Sequence, residues 1–202
     1  MIDTHLQLAR LGEGDEVACA LSSAEEGVKR LRRTLEQMMT LARADAPADR
    51  ADACASVAAS VRSVLDSWRA EHTQRLRLNI RGEDLGTPVP RSMLQTAVRN
   101  LVDNALRYSP PDAAVEVDVA LDQGARRCLI AVSDRGPGLS AEQASRIGQR
   151  FWRGDQGRKS QDGAGLGISI VRAIAERFGG ALQLKPRKAG GLVAELSLPL
   201  SK

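Results

Sequence analysis

The sequence predicts an α+β fold, a two-layer α/β sandwich in which helices cover one face of a mixed sheet, preceded by a helical hairpin segment. Two observations carry this prediction. Segments with the apolar spacing of a helix are interleaved with short segments in which apolar and polar residues alternate. Only 2% of the residues are aromatic, against 43% hydrophobic overall, so the core must be built from Leu, Val, Ile and Ala.

The N-terminal region has the clearest helical periodicity. An a/d seam runs through residues 17–42, in which apolar residues are spaced alternately four and three: Val17, Leu21, Ala24, Val28, Leu31, Leu35, Met38 and Ala42. Residues 2–11 predict a shorter partner helix, and Asp15 is placed to cap the second helix. We therefore expect a helical hairpin over residues 1–45, followed by a linker over residues 46–52 that contains Pro47.

Residues 53–202 carry the alternating elements of the sandwich. The patterns predict a helix over 56–72, a strand over 75–81, a loop at Pro88–Pro90, a helix over 91–108, strands over 115–121 and 128–133, a short helix over 141–148, a polar Gly-rich stretch over 152–165, a helix over 167–178, and strands over 181–186 and 192–198.

Composition excludes several classes of protein. The net charge of +4 comes with no long basic stripe and no interleaved aromatic residues, so no nucleic-acid partner is expected. Cys19, Cys54 and Cys128 form no Cys-x-x-Cys pair, which indicates small buried hydrophobic residues in a reducing compartment rather than zinc ligands or disulfides. No run in the sequence has the length and apolarity of a membrane span.

Two asparagines stand on one face of the predicted helix over 91–108. Asn100 and Asn104 are separated by one helical turn, and Arg107 and Tyr108 follow on or near the same face. An amide oxygen is an uncharged hard ligand that suits Mg²⁺, which takes its other ligands from waters and phosphates. One asparagine alone would be read as a solvated residue, but the pair beside Arg107 and Tyr108 favours a phosphate and metal site.

Glycines mark two further segments. Asp134 follows a predicted strand and precedes Gly136 and Gly138, so its carboxylate could accept a hydrogen bond from the exocyclic amine of adenine; the alternative is an ordinary Asp-x-Gly turn. The segment Gly163-Ala-Gly165-Leu166-Gly167 precedes a helix whose N-terminal N–H groups could bind phosphate.

The glycine segment at the second helix is not a dinucleotide fingerprint, because a polar loop and not a strand precedes it. That loop carries Arg153, Arg158 and Lys159, which suits a lid over phosphates as well as a plain solvated loop.

Taken in order, these motifs resemble the catalytic and ATP-binding domain of bacterial sensor histidine kinases, a Bergerat-type fold within the superfamily of gyrase, Hsp90 and MutL. The resemblance covers residues 50–200. Its four motifs are an N-box, a first glycine box, an F-box and a second glycine box, at Asn100–Ser109, Asp134–Gly138, Arg150–Arg153 and Gly163–Gly167. Residues 1–45 resemble the end of the first helix and the whole second helix of the family's dimerisation hairpin.

The resemblance implies a role for each matching residue. Asn104, with Asn100 beside it, would ligate Mg²⁺, and Asp134 would bind the adenine amine. The remaining contacts to ATP would come from Gly136 and Gly138 at the adenine wall, from Gly163, Gly165, Leu166 and Gly167 at the phosphates, from Arg107, Tyr108 and Arg153 at phosphate or ribose, and from Phe151, which would anchor the lid.

Two positions decide the expected branch of the superfamily. The hydrolysing relatives place a glutamate base where this sequence has Asn100, so the resemblance implies phosphoryl transfer rather than ATP hydrolysis. The family's acceptor segment of the His-Glu-x-x-x-Pro type is absent. His5 lacks the following acid and proline, and His72 falls at the end of a predicted helix. We therefore expect no catalytic residue in this chain itself and no autophosphorylation by it alone.

The resemblance implies a function in two-component signalling. The intact protein would transfer phosphate from Mg·ATP to its own histidine and then to an aspartate of a response-regulator receiver domain. It would dimerise through the hairpin, with this region in the cytoplasm and the full-length protein anchored in the inner membrane. The alternatives are a nucleotide-binding regulatory module, including a partner of a separate histidine phosphotransfer protein, and a serine kinase of the anti-sigma type.

Overall fold

The structure is a computed structural model of the 202-residue chain. It describes residues 17–25, 27–28, 38–39, 53–68, 72, 74–140, 143, 147, 165–187 and 190–201. Residues 17–25 are helical, as the a/d seam predicts. The shorter hairpin arm, the linker, and most of the predicted helix at 141–148 and of the polar stretch at 152–165 lie outside the described residues.

From residue 53 onward, the described residues form seven strands and three helices. In chain order they are β1 (Ala53–Cys54), α1 (Val57–Asp66), β2 (Leu76–Arg81), β3 (Thr87–Pro90), α2 (Arg91–Tyr108), β4 (Val115–Asp122), β5 (Arg127–Ser133), α3 (Gly167–Arg177), β6 (Ala181–Pro186) and β7 (Leu192–Pro199).

Five of the strands form the main sheet in the order β2-β4-β5-β7-β6. The β2–β4 pair is parallel, with Leu76 opposite Val115, and the other three pairs are antiparallel. The sheet is therefore mixed, as predicted. Strands β5 and β7 are neighbours although β6 and α3 lie between them in sequence, so the end of β5 meets the start of β7, with Ser133 opposite Val193.

All three helices lie on one face of the main sheet. The strands alternate buried and more exposed residues, and the buried apolar positions of the three central strands are Val115, Val117, Val119, Leu121, Cys128, Ile130, Val132, Ala194, Leu196 and Leu198. These residues form one core with the inward faces of α1, α2 and α3. The core is aliphatic, and the α+β two-layer sandwich is confirmed.

Two details of the predicted elements are wrong. The helix predicted over 56–72 ends at Asp66, and Ser67 is its C-cap residue. The hydroxyl of Ser67 donates to the carbonyl of Val64 at 2.6 Å. The predicted loop at Pro88–Pro90 is instead part of β3, which pairs with β1 in a separate two-stranded sheet. Proline is tolerated there because a strand with one partner leaves a row of N–H positions unpaired.

The cysteines follow the expectation in two of three cases. Cys54 and Cys128 are buried, and desolvation raises the pKa of the Cys128 thiol to about 12, so this side chain behaves as a small hydrophobic residue. Cys19 is exposed, which corrects its prediction as a buried residue. Among the helices that the structure describes, none combines the length and apolarity needed to cross a membrane.

Candidate nucleotide-binding site

Helix α2 separates an apolar face from a polar one. Its buried residues, which pack into the core, are Leu94, Ala97, Val98, Leu101, Val102, Ala105 and Leu106. Asn100 and Asn104 lie at the edge of that face and are half-buried. The side-chain amide of Asn100 donates to the carbonyl of Thr96 at 2.8 Å, which fixes its orientation and turns its oxygen away from the helix backbone.

The two asparagine amides face the first residue of α3. A Cβ on Gly167 would lie 2.9 Å from Oδ1 of Asn100 and 3.6 Å from Nδ2 of Asn104. A methyl group at this position would therefore clash with the Asn100 amide, so glycine allows the polar edge of α2 to lie this close to the start of α3. The sequence predicted both motifs, and the fold brings them together.

The N-terminus of α3 suits an anion. Leu166, at the cap position, provides no side-chain hydrogen bond to the first turn, and that turn contains no acidic residue. The first turn of a helix presents N–H groups without intrahelical acceptors, together with the positive end of the helix dipole. Gly165 precedes it with φ of +71°, a conformation that glycine adopts without strain.

Asp134 lies at the end of β5, on the other side of the site, and is only 8% exposed. Its Oδ1 accepts from the backbone N–H of Gly136 at 2.8 Å and from that of Leu192 at 3.1 Å. Its own N–H donates to the carbonyl of Leu192 at 2.9 Å. The carboxylate is therefore held on one oxygen by backbone donors, which orients the second oxygen, Oδ2.

Burial dominates the electrostatics of this carboxylate. Desolvation raises the pKa of Asp134 above its ordinary value, while the hydrogen bonds from Gly136 and Leu192 and the charge of Arg187 act in the opposite direction. A ligand that donates a hydrogen bond to this carboxylate would stabilise its ionised form, which burial disfavours. The geometry thus suits the exocyclic amine of adenine.

Gly136 joins the two sides of the site. A Cβ there would lie 2.6 Å from the backbone carbonyl of Tyr108, at the end of α2, and 3.1 Å from Oδ1 of Asp134. Only glycine permits this close approach. Gly138 has φ of +75° and lies against the backbone of Gly191. These two glycines allow the Asp134 turn to pack closely between α2 and the β6–β7 turn.

The remaining predicted site residues divide into three groups. The side chains of Arg107 and Tyr108 are exposed on the last turn of α2. The side chain of Leu166 is 1% exposed and packs in the core, so only its backbone is placed to face a ligand. Phe151, Arg153 and Gly163 lie outside the described residues.

Sequence reasoning missed the β6–β7 turn and Ser109. Arg187 in that turn and Leu192, the first residue of β7, both bond to Asp134, and the hydroxyl of Ser109 accepts from the N–H of Arg135 at 3.1 Å. The available signal was the pair Gly190-Gly191 just before β7: both have positive φ, and a Cβ on Gly191 would lie 2.1 Å from the carbonyl of Asp134.

The residues present fit a magnesium ion bound together with phosphates. Asn100 and Asn104 each carry a neutral amide oxygen of the kind Mg²⁺ accepts, and both side chains lie against Gly167, Asn100 through Oδ1 and Asn104 through Nδ2. Within the described part of the chain, no group of three or more His, Cys, Asp or Glu side chains could hold a metal ion. Two neutral amide oxygens suit an ion that takes most of its ligands from the nucleotide and water.

Comparison with known proteins identifies the class. Residues 90–202 match the family described as histidine kinase-, DNA gyrase B- and HSP90-like ATPase. This region contains α2, the Asp134 turn and α3, which together form the candidate site. The chain belongs to this ATPase family.

Within the family, the similarity lies with sensor kinases. The chain is 34% identical over 200 residues to the sensor protein QseC of Escherichia coli O157:H7, which covers 95% of this chain and 42% of that protein. It also matches the solved cytoplasmic segment of the histidine kinase QseC, with 25% identity, a TM-score of 0.57, and coverage of 86% of this chain and 95% of that one. The chain thus spans less than half the length of the curated relative.

A third comparison concerns the fold alone. The Acinetobacter baumannii histidine kinase AdeS matches with a TM-score of 0.75 and 20% identity, over 100% of this chain and 94% of that one. The resemblance inferred from the motifs is confirmed, and the chain carries the ATPase domain of the sensor histidine kinase type.

Proposed function

We propose that this chain binds Mg·ATP between α2, the Asp134 turn and α3. Asp134 accepts the adenine amine through Oδ2, the N–H groups at the start of α3 receive phosphate oxygens, and Asn104, with Asn100 beside it, ligates Mg²⁺. The observation that carries the proposal is the placement of both asparagine amides against Gly167, the first residue of α3.

We further propose that the bound ATP serves phosphoryl transfer rather than hydrolysis. The position one turn before Asn104 is occupied by Asn100, whose amide nitrogen donates to Thr96, and an amide cannot take a proton from water. Phosphoryl transfer itself needs mainly positioning and charge stabilisation, and Mg²⁺ supplies the latter when bound. The residues of this chain orient the nucleotide for a nucleophile held elsewhere.

The similarity to QseC supports the wider assignment. In the longer protein, a histidine would receive the γ-phosphate and pass it to an aspartate of a response-regulator receiver domain, with two copies joined through the hairpin region. The matching QseC structure is a cytoplasmic segment. We propose the same location for this region, within a protein anchored in the bacterial inner membrane.

The experiment is phosphate transfer from γ-labelled ATP. The chain is mixed with Mg²⁺, labelled ATP and a purified helical hairpin domain from a sensor kinase that carries an acceptor histidine. The proposal predicts label on the hairpin that is labile to acid and stable to base, as expected of histidine phosphate, and its loss when that histidine is replaced by glutamine.

Two other results would contradict the proposal. Label that is stable to acid and labile to base indicates a serine kinase. ATP binding by calorimetry without any transfer indicates a nucleotide-binding module.

A further inference from the structure

The side chain of Arg187 reaches the Asp134 turn from the end of β6. Its Nη1 donates to the backbone carbonyl of Asp134 at 3.1 Å, and its Nη2 lies 3.5 Å from Oε2 of Glu116 on β4. One planar guanidinium thus bridges the residue that faces the base and a carboxylate on the neighbouring strand of the main sheet. The Arg187 side chain is 22% exposed, so this bridge is largely shielded from water.

We propose that Arg187 is a positioning residue for base recognition, which acts by fixing the backbone of Asp134 and thereby the direction of its carboxylate. This inference rests on the nucleotide-binding function proposed above. Arg187 does not touch the ligand in this account. It holds the backbone of Asp134, whose carboxylate contacts the base.

The turn that carries Arg187 leads into a second restraint on Asp134, which adds to the hydrogen bond from Gly136. The N–H of Arg187 donates to the carbonyl of Gly191 at 3.1 Å, and the N–H of Gly190 donates to the carbonyl of Arg187 at 3.2 Å. The next residue, Leu192, donates to Oδ1 of Asp134. Leu192 after the turn thus holds the carboxylate of Asp134, while the guanidinium of Arg187 holds its carbonyl.

Arg135 provides an internal comparison. Its Nη2 pairs with Oε1 of Glu116 at 3.2 Å, so it shares the carboxylate partner of Arg187. Its side chain is 50% exposed, and an exposed ion pair contributes little. The distinguishing feature of Arg187 is its hydrogen bond to the carbonyl of Asp134, since both arginines carry the same charge and pair with the same glutamate.

The charge of Arg187 also favours the ionised carboxylate. Arg187, Arg135 and Glu116 are the charged groups around the Asp134 turn among the described residues, and of these Arg187 lowers the pKa of Asp134 against the effect of burial. Without the charge of Arg187, the effect of burial on the pKa of Asp134 is less opposed, and this pKa rises further. The pH at which nucleotide affinity begins to fall on acidification should then move upward, which a purely structural contact would not cause.

The test compares Arg187→Met with Arg135→Met. Both remove one positive charge and one partner of Glu116, and Arg187→Lys keeps the charge but not the two-pronged geometry. The dissociation constant of Mg·ATP is measured by calorimetry on the whole chain over a series of pH values. We expect about tenfold weaker binding in Arg187→Met, because a hydrogen bond from a charged donor is lost, and a change of less than about twofold in Arg135→Met.

The variants also differ in their pH profiles. Arg187→Met should lose affinity at a higher pH than wild type, whereas Arg187→Lys should weaken binding and keep a profile close to that of wild type. If Arg187→Met does not fold by circular dichroism, weaker binding in folded Arg187→Lys supports the proposal, and unchanged binding in that variant overturns it.

Two further outcomes overturn the inference. Wild-type affinity and pH profile in folded Arg187→Met would show that Arg187 does not position Asp134, and equal losses in both methionine variants would show a general effect of charge. Either result leaves the proposed function intact. Failure of the wild-type chain to bind ATP would instead refute the proposed function itself.

Discussion

The base end and the phosphate end of the site are built in different ways. At the base end, Asp134 is buried and held by backbone N–H groups from two separate segments, so its geometry is set before any ligand arrives. At the phosphate end, Asn100 and Asn104 are half-buried and lie against Gly167 at the start of α3, where no side chain caps the helix. In the proposed site, the fold therefore fixes the acceptor for the base, whereas the phosphates of the nucleotide would complete the metal site.

The largest loss of ATP affinity is expected from Asp134→Asn, at the base end of the site. An amide at this site presents a donor where the carboxylate presents an acceptor, and it leaves buried polar groups mismatched. We expect ATP affinity to fall by on the order of 100-fold or more. Calorimetry measures it, with Asp118→Asn on the open face of the sheet as the matched control, whose affinity should stay at the wild-type value. Unchanged affinity in Asp134→Asn would remove Asp134 from the site.

Asn104→Asp tests the phosphate end. A carboxylate there opposes the negative charge of the triphosphate, so binding of ATP should weaken by roughly ten- to 100-fold. Because the effect depends on phosphate charge, ADP should lose less than ATP in the same titrations. Asn79→Asp, which adds the same charge on the open face of the sheet, is the control. Equal losses for ATP and ADP would contradict a role of Asn104 at the terminal phosphates.

Gly167→Ala tests whether the phosphate end can be disturbed without an effect on the base end. The added methyl group meets Oδ1 of Asn100 at 2.9 Å, so it should push the asparagines away and weaken ATP binding by about tenfold. Adenosine, which lacks phosphates, should bind as it does to the wild-type chain in a competition assay. Gly124→Ala, in a surface turn with room for a methyl group, is the control. Weaker adenosine binding in Gly167→Ala would show that the two ends are not separable.

Acidification gives the smallest predicted effect. Because burial raises the pKa of Asp134, its protonation begins at a higher pH than for an ordinary aspartate. At pH values below that pKa, the affinity for ATP should fall by at most about tenfold per pH unit. The same titration acts on stability with the opposite sign: the ionised carboxylate costs folding free energy above its pKa, and that cost disappears as the pH falls. A pH profile of binding that is the same in Asp134→Asn would contradict the assignment.

The sequence predicted the motifs of the site better than it predicted the contacts between them. Asn100 with Asn104, and Gly167 at a helix start, could be found because helical spacing and glycine spacing are local patterns. The bonds from Leu192 and Arg187 to Asp134 could not, since they depend on β7 lying beside β5, a pairing of strands that are not consecutive in the sequence. Strand β3 was missed for a related reason, because its prolines are acceptable only where a strand has a single partner.

The most direct test of a preformed base end is the preference of the wild-type chain for ATP over GTP. At the position of the adenine amine, guanine carries a carbonyl oxygen, which would face the carboxylate acceptor of Asp134. We expect Mg·ATP to bind at least about 100-fold more tightly than Mg·GTP in parallel calorimetric titrations. Equal affinity for the two nucleotides would contradict it.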